Sequence, residues 1–163
     1  MTDHPRQVIA PEMSRRSYFV PDVVLPHLRV TSKTEALQVL AQYGADITGV
    51  SQSAIFDALL KRERLGTTGI GDGIAIPHCR LPTIERPFGL FTRLETAIDF
   101  EADDGRNVDL IFVLLAPKGA DADHLTALAR VSRLLRDRSI REALRHGRSE
   151  GDLLALLGGT IDR

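Results

Sequence analysis

The sequence has 163 residues, enough for one domain with a sizeable core, and its 43% hydrophobic and 26% charged residues are typical of a globular protein. A formal net charge of −1 gives no electrostatic reason to expect nucleic acid or an anionic membrane surface as the main partner. Cys79 is the single cysteine, which excludes an intrachain disulfide and a metal site built on several cysteines.

Residues 1–16 are polar, contain Pro5 and Pro11 and show no useful periodicity, so we expect a flexible N-terminal arm. This arm lacks the apolar stretch of a secretion signal. No apolar run in the chain approaches the roughly 18 residues of a membrane-spanning helix. We therefore predict a cytoplasmic protein without membrane insertion, in which residues 17–160 form the folded domain.

Two helices are predicted in the first half of the chain. The stretch "TSKTEALQVLAQYG" begins with a capping box, Ser32 followed by Glu35 three positions later, and ends on Gly44. The stretch "SQSAIFDALLKRERLG" is capped by Ser51 or Ser53 and also ends on a glycine. In both, apolar residues at three- and four-residue spacing predict one buried face.

Strand patterns follow in the middle of the chain. Ile74 and Ile76 alternate with small residues, residues 88–94 alternate loosely, and residues 108–116 are almost continuously apolar, as in a strand covered on both faces. Helical patterns return after residue 120. We predict a single layered α/β domain with a central mixed β-sheet of about five strands, flanked by helices.

Residues 66–80, "GTTGIGDGIAIPHCR", place three glycines at alternate positions ahead of a Pro-His pair. A dinucleotide fingerprint needs G-x-G-x-x-G between a buried strand and a helix, but Ile74 stands where the third glycine belongs. A Walker loop is excluded because no Gly-Lys-Ser/Thr follows. The motif therefore does not predict a nucleotide site.

The stretch "GTTGIGDGIAIPH" closely resembles the signature of the IIA (EIIA type-2) domains of the bacterial phosphoenolpyruvate:sugar phosphotransferase system, fructose–mannitol class. The resemblance is strongest to the nitrogen-regulatory branch of this family. "VPDVVLPHLRVTSKTEALQVLA" resembles the family's N-terminal strand and first helix, and "SEGDLLALL" resembles its closing helix. "DADHLTALARVSRLLRD" resembles its second histidine segment. Residues 1–16 and the last few fall outside the resemblance.

The resemblance implies a phosphotransferase, namely a protein-histidine phosphoryl carrier. Such a domain accepts a phosphoryl group from an HPr-type or nitrogen-HPr-type carrier protein. In the nitrogen branch its phosphorylation state then controls regulatory target proteins by direct binding. His78 matches the phosphorylated histidine, His124 the supporting histidine, and Arg62 an active-site arginine that contacts the phosphoryl group or the partner. No cofactor and no metal are implied, since the phosphoryl group is the cargo.

The chemistry of the residues agrees with this role. A neutral imidazole can attack phosphorus, and an ordinary histidine pKa leaves most of the ring neutral near pH 7. Pro77 restricts the backbone just before His78. Small residues at phosphate sites let backbone N–H groups approach an anion, so we expect a phosphoryl loop ahead of the histidine. Its members are Thr68, Gly69, Gly71 and Gly73.

His124 lies near the first turn of a helix that Asp121 or Asp123 would cap. It shares one helical face with Leu128 and Val131, so we expect its ring to point inward, near a helix N-terminus that favours an anion. From there it would donate an N–H to a phosphoryl group on His78.

Cys79 departs from the family pattern, which places glycine or another small residue after the histidine. We expect its side chain to point away from His78. A thiol beside the site leaves oxidation open as a means of modulation. Two alternative functions also remain open: a sugar-specific IIA component that passes phosphate to a IIB domain, and a docking regulator that carries no phosphate. A thiol- or metal-dependent sensor is a third.

Overall fold

A mixed six-stranded β-sheet forms the middle layer of the computed structural model, which describes residues 19–159. The strands are β1 (Val23–Leu28), β2 (Gly69–Gly71), β3 (Ile74–Ala75), β4 (His78–Leu81), β5 (Phe88–Ile98) and β6 (Val108–Pro117). Their order is β1-β5-β6-β3-β2, with β4 also paired to β6. The β1–β5, β3–β6 and β4–β6 pairs are parallel, and the β2–β3 and β5–β6 pairs are antiparallel. The predicted α/β class and mixed sheet are confirmed, with six strands rather than about five; the predicted arm lies outside the described residues.

Helices pack on both faces of the sheet. They are α1 (Lys33–Thr48), α2 (Gln52–Arg64), α3 (Asp121–Arg136), α4 (Arg138–His146) and α5 (Glu150–Leu154). Side chains of the central strand β6 pack against the helices on both faces of the sheet, because successive side chains of a strand point to opposite faces. Ile111, Val113 and Leu115 pack with α1 and α2, whereas Leu110 and Phe112 pack with α3, α4 and α5. The nearly continuous apolar run of β6 thus reflects burial on both sides, as predicted.

The first helix extends beyond its predicted end. Ser32 caps α1 by accepting a hydrogen bond from the Glu35 N–H, as expected, but the helix continues to Gly49, whose φ of 80° is left-handed. Gly44 lies inside the helix, where an added Cβ would stand 3.2 Å from Leu115 and 3.3 Å from Ile55. The prediction that α1 ends at Gly44 is wrong because this glycine provides close packing rather than a helix stop.

The glycine motif forms a β-hairpin rather than a loop that leads into one strand. Gly71 pairs with Ile74, so Asp72 and Gly73 are the two turn residues. Both have positive φ values, 59° and 80°, as in the two-residue turns that match the twist of a hairpin. After Ala75 the chain leaves β6 at Ile76 and Pro77 and rejoins it as β4, which begins with His78.

The sequence analysis predicted no membrane insertion and implied no metal site. Within residues 19–159, the helices are all too short or too polar to span a membrane. The part of the chain that the structure describes also contains no group of three or more His, Cys, Asp or Glu side chains arranged to hold a metal ion.

Candidate functional site

Three elements bring His78, Arg62 and His124 together around one cavity of about 570 Å³. His78 is the first residue of β4, Arg62 lies in the last turn of α2, and His124 lies in the first turns of α3. The amide of Leu114 on the central strand donates to the carbonyl of Pro77 at 3.0 Å, which fixes the backbone just before His78. The three residues predicted to carry the chemistry therefore share one site.

The two ring nitrogens of His78 have different partners. Nδ1 lies 2.9 Å from the backbone oxygen of Ile76, and a carbonyl can only accept, so Nδ1 carries the proton. Nε2 is then the unprotonated nitrogen, and it accepts a hydrogen bond from Nε of Arg62 at 3.2 Å. Arg62 is held in turn by a 2.8 Å bond from Nη1 to the oxygen of Gly66. This arrangement leaves Nε2 unprotonated and directs its lone pair at Arg62, which lines the cavity together with His78.

Burial lowers the pKa of His78 below its ordinary value of 6.5. The hydrogen bond to Ile76 opposes this shift, and the positive charge of Arg62 adds to it. The ring therefore remains neutral, with Nε2 unprotonated, around neutral pH.

His124 faces His78 across the cavity. The two ring centroids are 5.5 Å apart with 52° between the planes, and His124 is only 4% exposed. Its pKa is lowered by burial, then by the neighbouring His78 and Arg80. Among the residues described, no group bonds its buried Nδ1. A buried ring nitrogen without a partner, close to the proposed nucleophile, is a polar group ready for a ligand.

The N-terminal end of α3 differs from the prediction. Ala120, not Asp121 or Asp123, is the N-cap residue, and it makes no side-chain capping bond. Asp121 instead pairs with Arg80 at 3.1 Å. The predicted inward stripe of α3 is confirmed, since Val131 and Leu135 are buried on the same face as His124.

A buried carboxylate behind the site was missed by the sequence analysis. Glu63 accepts hydrogen bonds from the backbone N–H and the hydroxyl of Thr68, and it pairs with Lys33 at 2.9 Å. The carbonyl of Thr68 accepts from the amide of Ile76 at 3.0 Å, and the Ile76 carbonyl orients His78. Although burial alone lowers the pKa of Lys33, the carboxylates of Glu63 and Glu101 raise it.

Glu63 could have been found from its spacing. Ile55, Leu59 and Glu63 follow one another at four-residue intervals and are the buried residues of α2. A carboxylate on the apolar stripe of a helix requires a partner. Glu63 lies within the charged stretch 61–64, and for this reason the sequence analysis treated it as part of a charged helix end.

In the structure, the residues of the proposed phosphoryl loop contact other parts of the protein and do not line the cavity. Thr68 is bound to Glu63, and a Cβ added to Gly69 would meet Ala102 at 2.9 Å. Gly71 lies beside Asp104, and Gly73 beside Arg145. Within the described chain, the lining of the cavity includes none of these four loop residues. Their contact with a phosphoryl group stays an untested prediction, and their observed contacts are with the protein itself.

Cys79 packs into the core between the sheet and the layer of α1 and α2. Its position one residue after His78 on β4 turns its side chain to the opposite face of the sheet, as expected, although the residue also contributes to the lining of the cavity. Burial raises the pKa of its thiol to about 12. The thiol is therefore held in its unreactive protonated form, which argues against modulation by oxidation at this residue.

The rim of the cavity contributes residues that the sequence analysis did not select. Leu65 follows α2, Leu125 lies next to His124 on α3, and both are exposed large hydrophobic side chains. The basic residues Lys61, Arg80 and Lys118 also line the opening. Single exposed residues of these types carry no signal in a sequence, because only the fold brings them together.

The whole domain matches a known family model. Residues 17–158 match the model described as "Phosphoenolpyruvate-dependent sugar phosphotransferase system, EIIA 2". The chain belongs to the EIIA type-2 family. The resemblance noted in the glycine–Pro-His motif is thereby confirmed, and the fold belongs to a family of phosphotransfer carriers.

Individual relatives place this EIIA type-2 chain near the nitrogen-regulatory members. It is 54% identical over 137 residues to a "Nitrogen regulatory protein" of Bradyrhizobium diazoefficiens, covering 84% of this chain and 90% of the relative. It is 39% identical over 130 residues to the protein of the same name in Escherichia coli, covering 79% and 80%. The crystal structure of nitrogen regulatory protein IIA-Ntr from Neisseria meningitidis superposes with a TM-score of 0.79 at 35% identity, covering 83% of this chain and 92% of that one.

Proposed function

We propose that this EIIA type-2 protein carries a phosphoryl group on Nε2 of His78 and receives it from the phosphohistidine of an HPr-type carrier. The observation that carries the proposal is the state of the His78 ring: the Ile76 carbonyl binds the protonated Nδ1, and Nε2 is unprotonated, with Arg62 donating to its lone pair. The regulatory role is supported by the names of the relatives, which are nitrogen regulatory proteins.

The transfer itself forms one bond and breaks one. The Nε2 lone pair of His78 forms the new N–P bond while the N–P bond of the donor breaks, and its electron pair returns to the donor ring. The His78 ring gains positive charge in this step. The hydrogen bond from Nδ1–H to the Ile76 oxygen, 2.9 Å long, stabilises that charge.

Arg62 and His124 act on the incoming phosphoryl group. In the resting site, Nε–H of Arg62 donates a 3.2 Å hydrogen bond to the Nε2 lone pair of His78. When phosphorus bonds to Nε2, the same N–H donates to a phosphoryl oxygen instead. His124 is kept neutral by its lowered pKa, so one of its nitrogens is protonated and donates to another oxygen. Positioning and charge stabilisation of this kind supply most of the catalysis in phosphoryl transfer.

The experiment incubates the purified protein with phosphoenolpyruvate, enzyme I and an HPr-type carrier, then measures the intact mass at mildly alkaline pH, where phosphohistidine survives. We expect a gain of one phosphoryl group in the native protein and none in His78→Ala, with the fold retained in both. His124→Ala should still be labelled, but more slowly. A native protein that gains no mass would favour the docking regulator, and a His124→Ala variant labelled at the native rate would exclude the supporting role.

A further inference from the structure

Two leucines stand exposed at the opening of the cavity around His78. Leu65 is 82% exposed and Leu125 is 63% exposed, and both line the cavity. They come from different helices, one from the end of α2 and one from the first turns of α3. In the described part of the chain, Val20 at 42% is the one other exposed large hydrophobic residue, and it does not line the cavity. Two leucines that converge on one opening provide apolar area for a partner.

The charged side chains around these leucines are basic. Lys61, Arg62, Arg80 and Lys118 line the cavity, and no carboxylate does. Arg80 is paired with Asp121, and Arg62 is bound to His78 and Gly66. Within residues 19–159, Lys61 and Lys118 form no ion pair at 4.0 Å or less. Among the described residues, these two cations therefore add positive charge to the lining of the cavity without a paired carboxylate.

We infer that this surface, formed by Leu65, Leu125, Lys61 and Lys118, binds a protein donor whose phosphohistidine is surrounded by apolar and acidic side chains. The inference rests on the proposed function and specifies the partner. A small phosphorylated metabolite would use the cations but would leave both leucines in water. A protein surface covers the leucines and places its carboxylates opposite the lysines. The attraction between these opposite charges raises the rate at which the two proteins associate. The contact area is small, as in other transient complexes.

The test compares two phosphoryl donors, an HPr-type carrier phosphorylated by enzyme I and phosphoramidate, a small molecule that needs no docking surface. The variants are Leu65→Ser with Leu125→Ser, and Lys61→Glu with Lys118→Glu. The matched controls are Val20→Ser, an exposed hydrophobic residue away from the cavity, and Arg133→Glu, an exposed cation farther along α3. The readouts are kcat/KM with the carrier and the labelling rate with phosphoramidate.

We expect both rim double variants to lower kcat/KM with the carrier by about tenfold, while both controls stay within about twofold of the native protein. The effect of the lysine variant should shrink as salt rises from about 0.01 M to about 1 M, because the screening length falls from about 30 Å to about 3 Å. Phosphoramidate should label the leucine variant and both controls at the native rate, because a small donor makes no contact with the leucines.

Two results would overturn the inference while leaving the proposed function intact: rim variants that accept phosphate from the carrier at the native rate, or charge reversal at the lysines that speeds transfer. A different result, failure of phosphoramidate and of the carrier alike to label His78 in the native protein, would instead overturn the proposed function and the inference with it.

Discussion

At the scale of single residues, Ile76 and Arg62 hold the two nitrogens of His78 in different chemical states. The Ile76 carbonyl requires a proton on Nδ1, and Arg62 donates to the lone pair on Nε2. The guanidinium of Arg62 also lowers the pKa of His78, so the ring of the proposed nucleophile stays neutral while it accepts this hydrogen bond.

Substitution of Arg62 tests this arrangement. We expect Arg62→Ala to slow phosphoryl transfer about 10²-fold, since one preorganised donor to the phosphoryl oxygens is lost. The same change should raise the pKa of His78, because the guanidinium charge is among the causes that lower it. Measurement of the transfer rate and NMR titration of the His78 ring check the two effects. Arg62→Lys should recover only part of the rate, because lysine lacks the planar fork; an unchanged rate in Arg62→Ala would contradict the assigned role.

At the scale of elements, α2 and the hairpin after it are joined by the buried carboxylate of Glu63. The carboxylate binds both polar groups of Thr68, and Lys33 of α1 neutralises it at 2.9 Å. Since Thr68 in turn holds Ile76, this network connects the end of α2 to the orientation of the His78 ring. The hairpin and the residues beside it therefore support the site by positioning the backbone that orients His78.

Glu63→Gln removes the charge but keeps the shape of this connection. We expect a loss of about 3 kcal/mol in the free energy of unfolding, because the substitution breaks a buried ion pair and leaves Lys33 with the exposed Glu101 as its remaining carboxylate partner. Urea denaturation measures the loss. Glu95→Gln, which changes a more exposed partner of Arg29, is the matched control and should cost less than about 1 kcal/mol. Equal losses in the two variants would show that the buried network adds no special stability.

The turn of the hairpin gives a second test at this scale. Gly73 has a φ of 80°, and an added Cβ would stand 2.5 Å from Nη2 of Arg145 and 3.0 Å from Oδ1 of Asp109. Gly73→Ala should therefore destabilise the fold by about 1–3 kcal/mol through backbone strain and disturbance of the Arg145–Asp109 pair. Thermal unfolding measures this loss. If the glycine acts only in the turn, the folded variant still takes a phosphoryl group from phosphoramidate at the native rate; a rate lowered tenfold or more would restore the predicted phosphoryl contact.

At the scale of the whole molecule, two helix layers enclose one sheet, and the site lies where both layers reach the same end of it. Arg62 comes from the layer on one face and His124 from the layer on the other. Such a site buries His124 and partly buries His78, and burial lowers the pKa of each ring below 6.5. The global stability must therefore depend on pH.

The sign of this dependence follows from proton binding. Below about pH 6.5 the unfolded chain, with ordinary histidine pKa values, binds more protons than the folded chain. The free energy of unfolding should thus decrease as the pH falls from 6.5 towards the lowered pKa values of the folded state, and these two rings should leave it unchanged above that range. Urea denaturation across this range measures the effect. His124→Gln should show a smaller decrease than the native protein, and an identical slope would contradict burial of a neutral His124.

Much of the fold and part of the site could be predicted because the signals are local. The caps at Ser32 and Ser51 and the apolar run of β6 depend on neighbours a few positions away. The long motif that ends in His78 likewise pointed to the family, and with it to His124 and Arg62 as candidate site residues. The C-terminal end of α1 was predicted wrongly, since tertiary packing decides whether a glycine ends a helix or permits close contact. The short strands β2 and β4 were missed.

The sequence by itself determined the class of fold, the family and the histidines that are candidates for the chemistry. The tertiary structure alone decided which nitrogen of His78 is unprotonated, that Glu63 is a buried support and that the glycines belong to a hairpin outside the lining of the cavity. It also decided that two leucines and two lysines share one rim. The reason is physical: a ring's proton, a carboxylate's partner and a surface's charge are all fixed by contacts between residues that are distant in the chain.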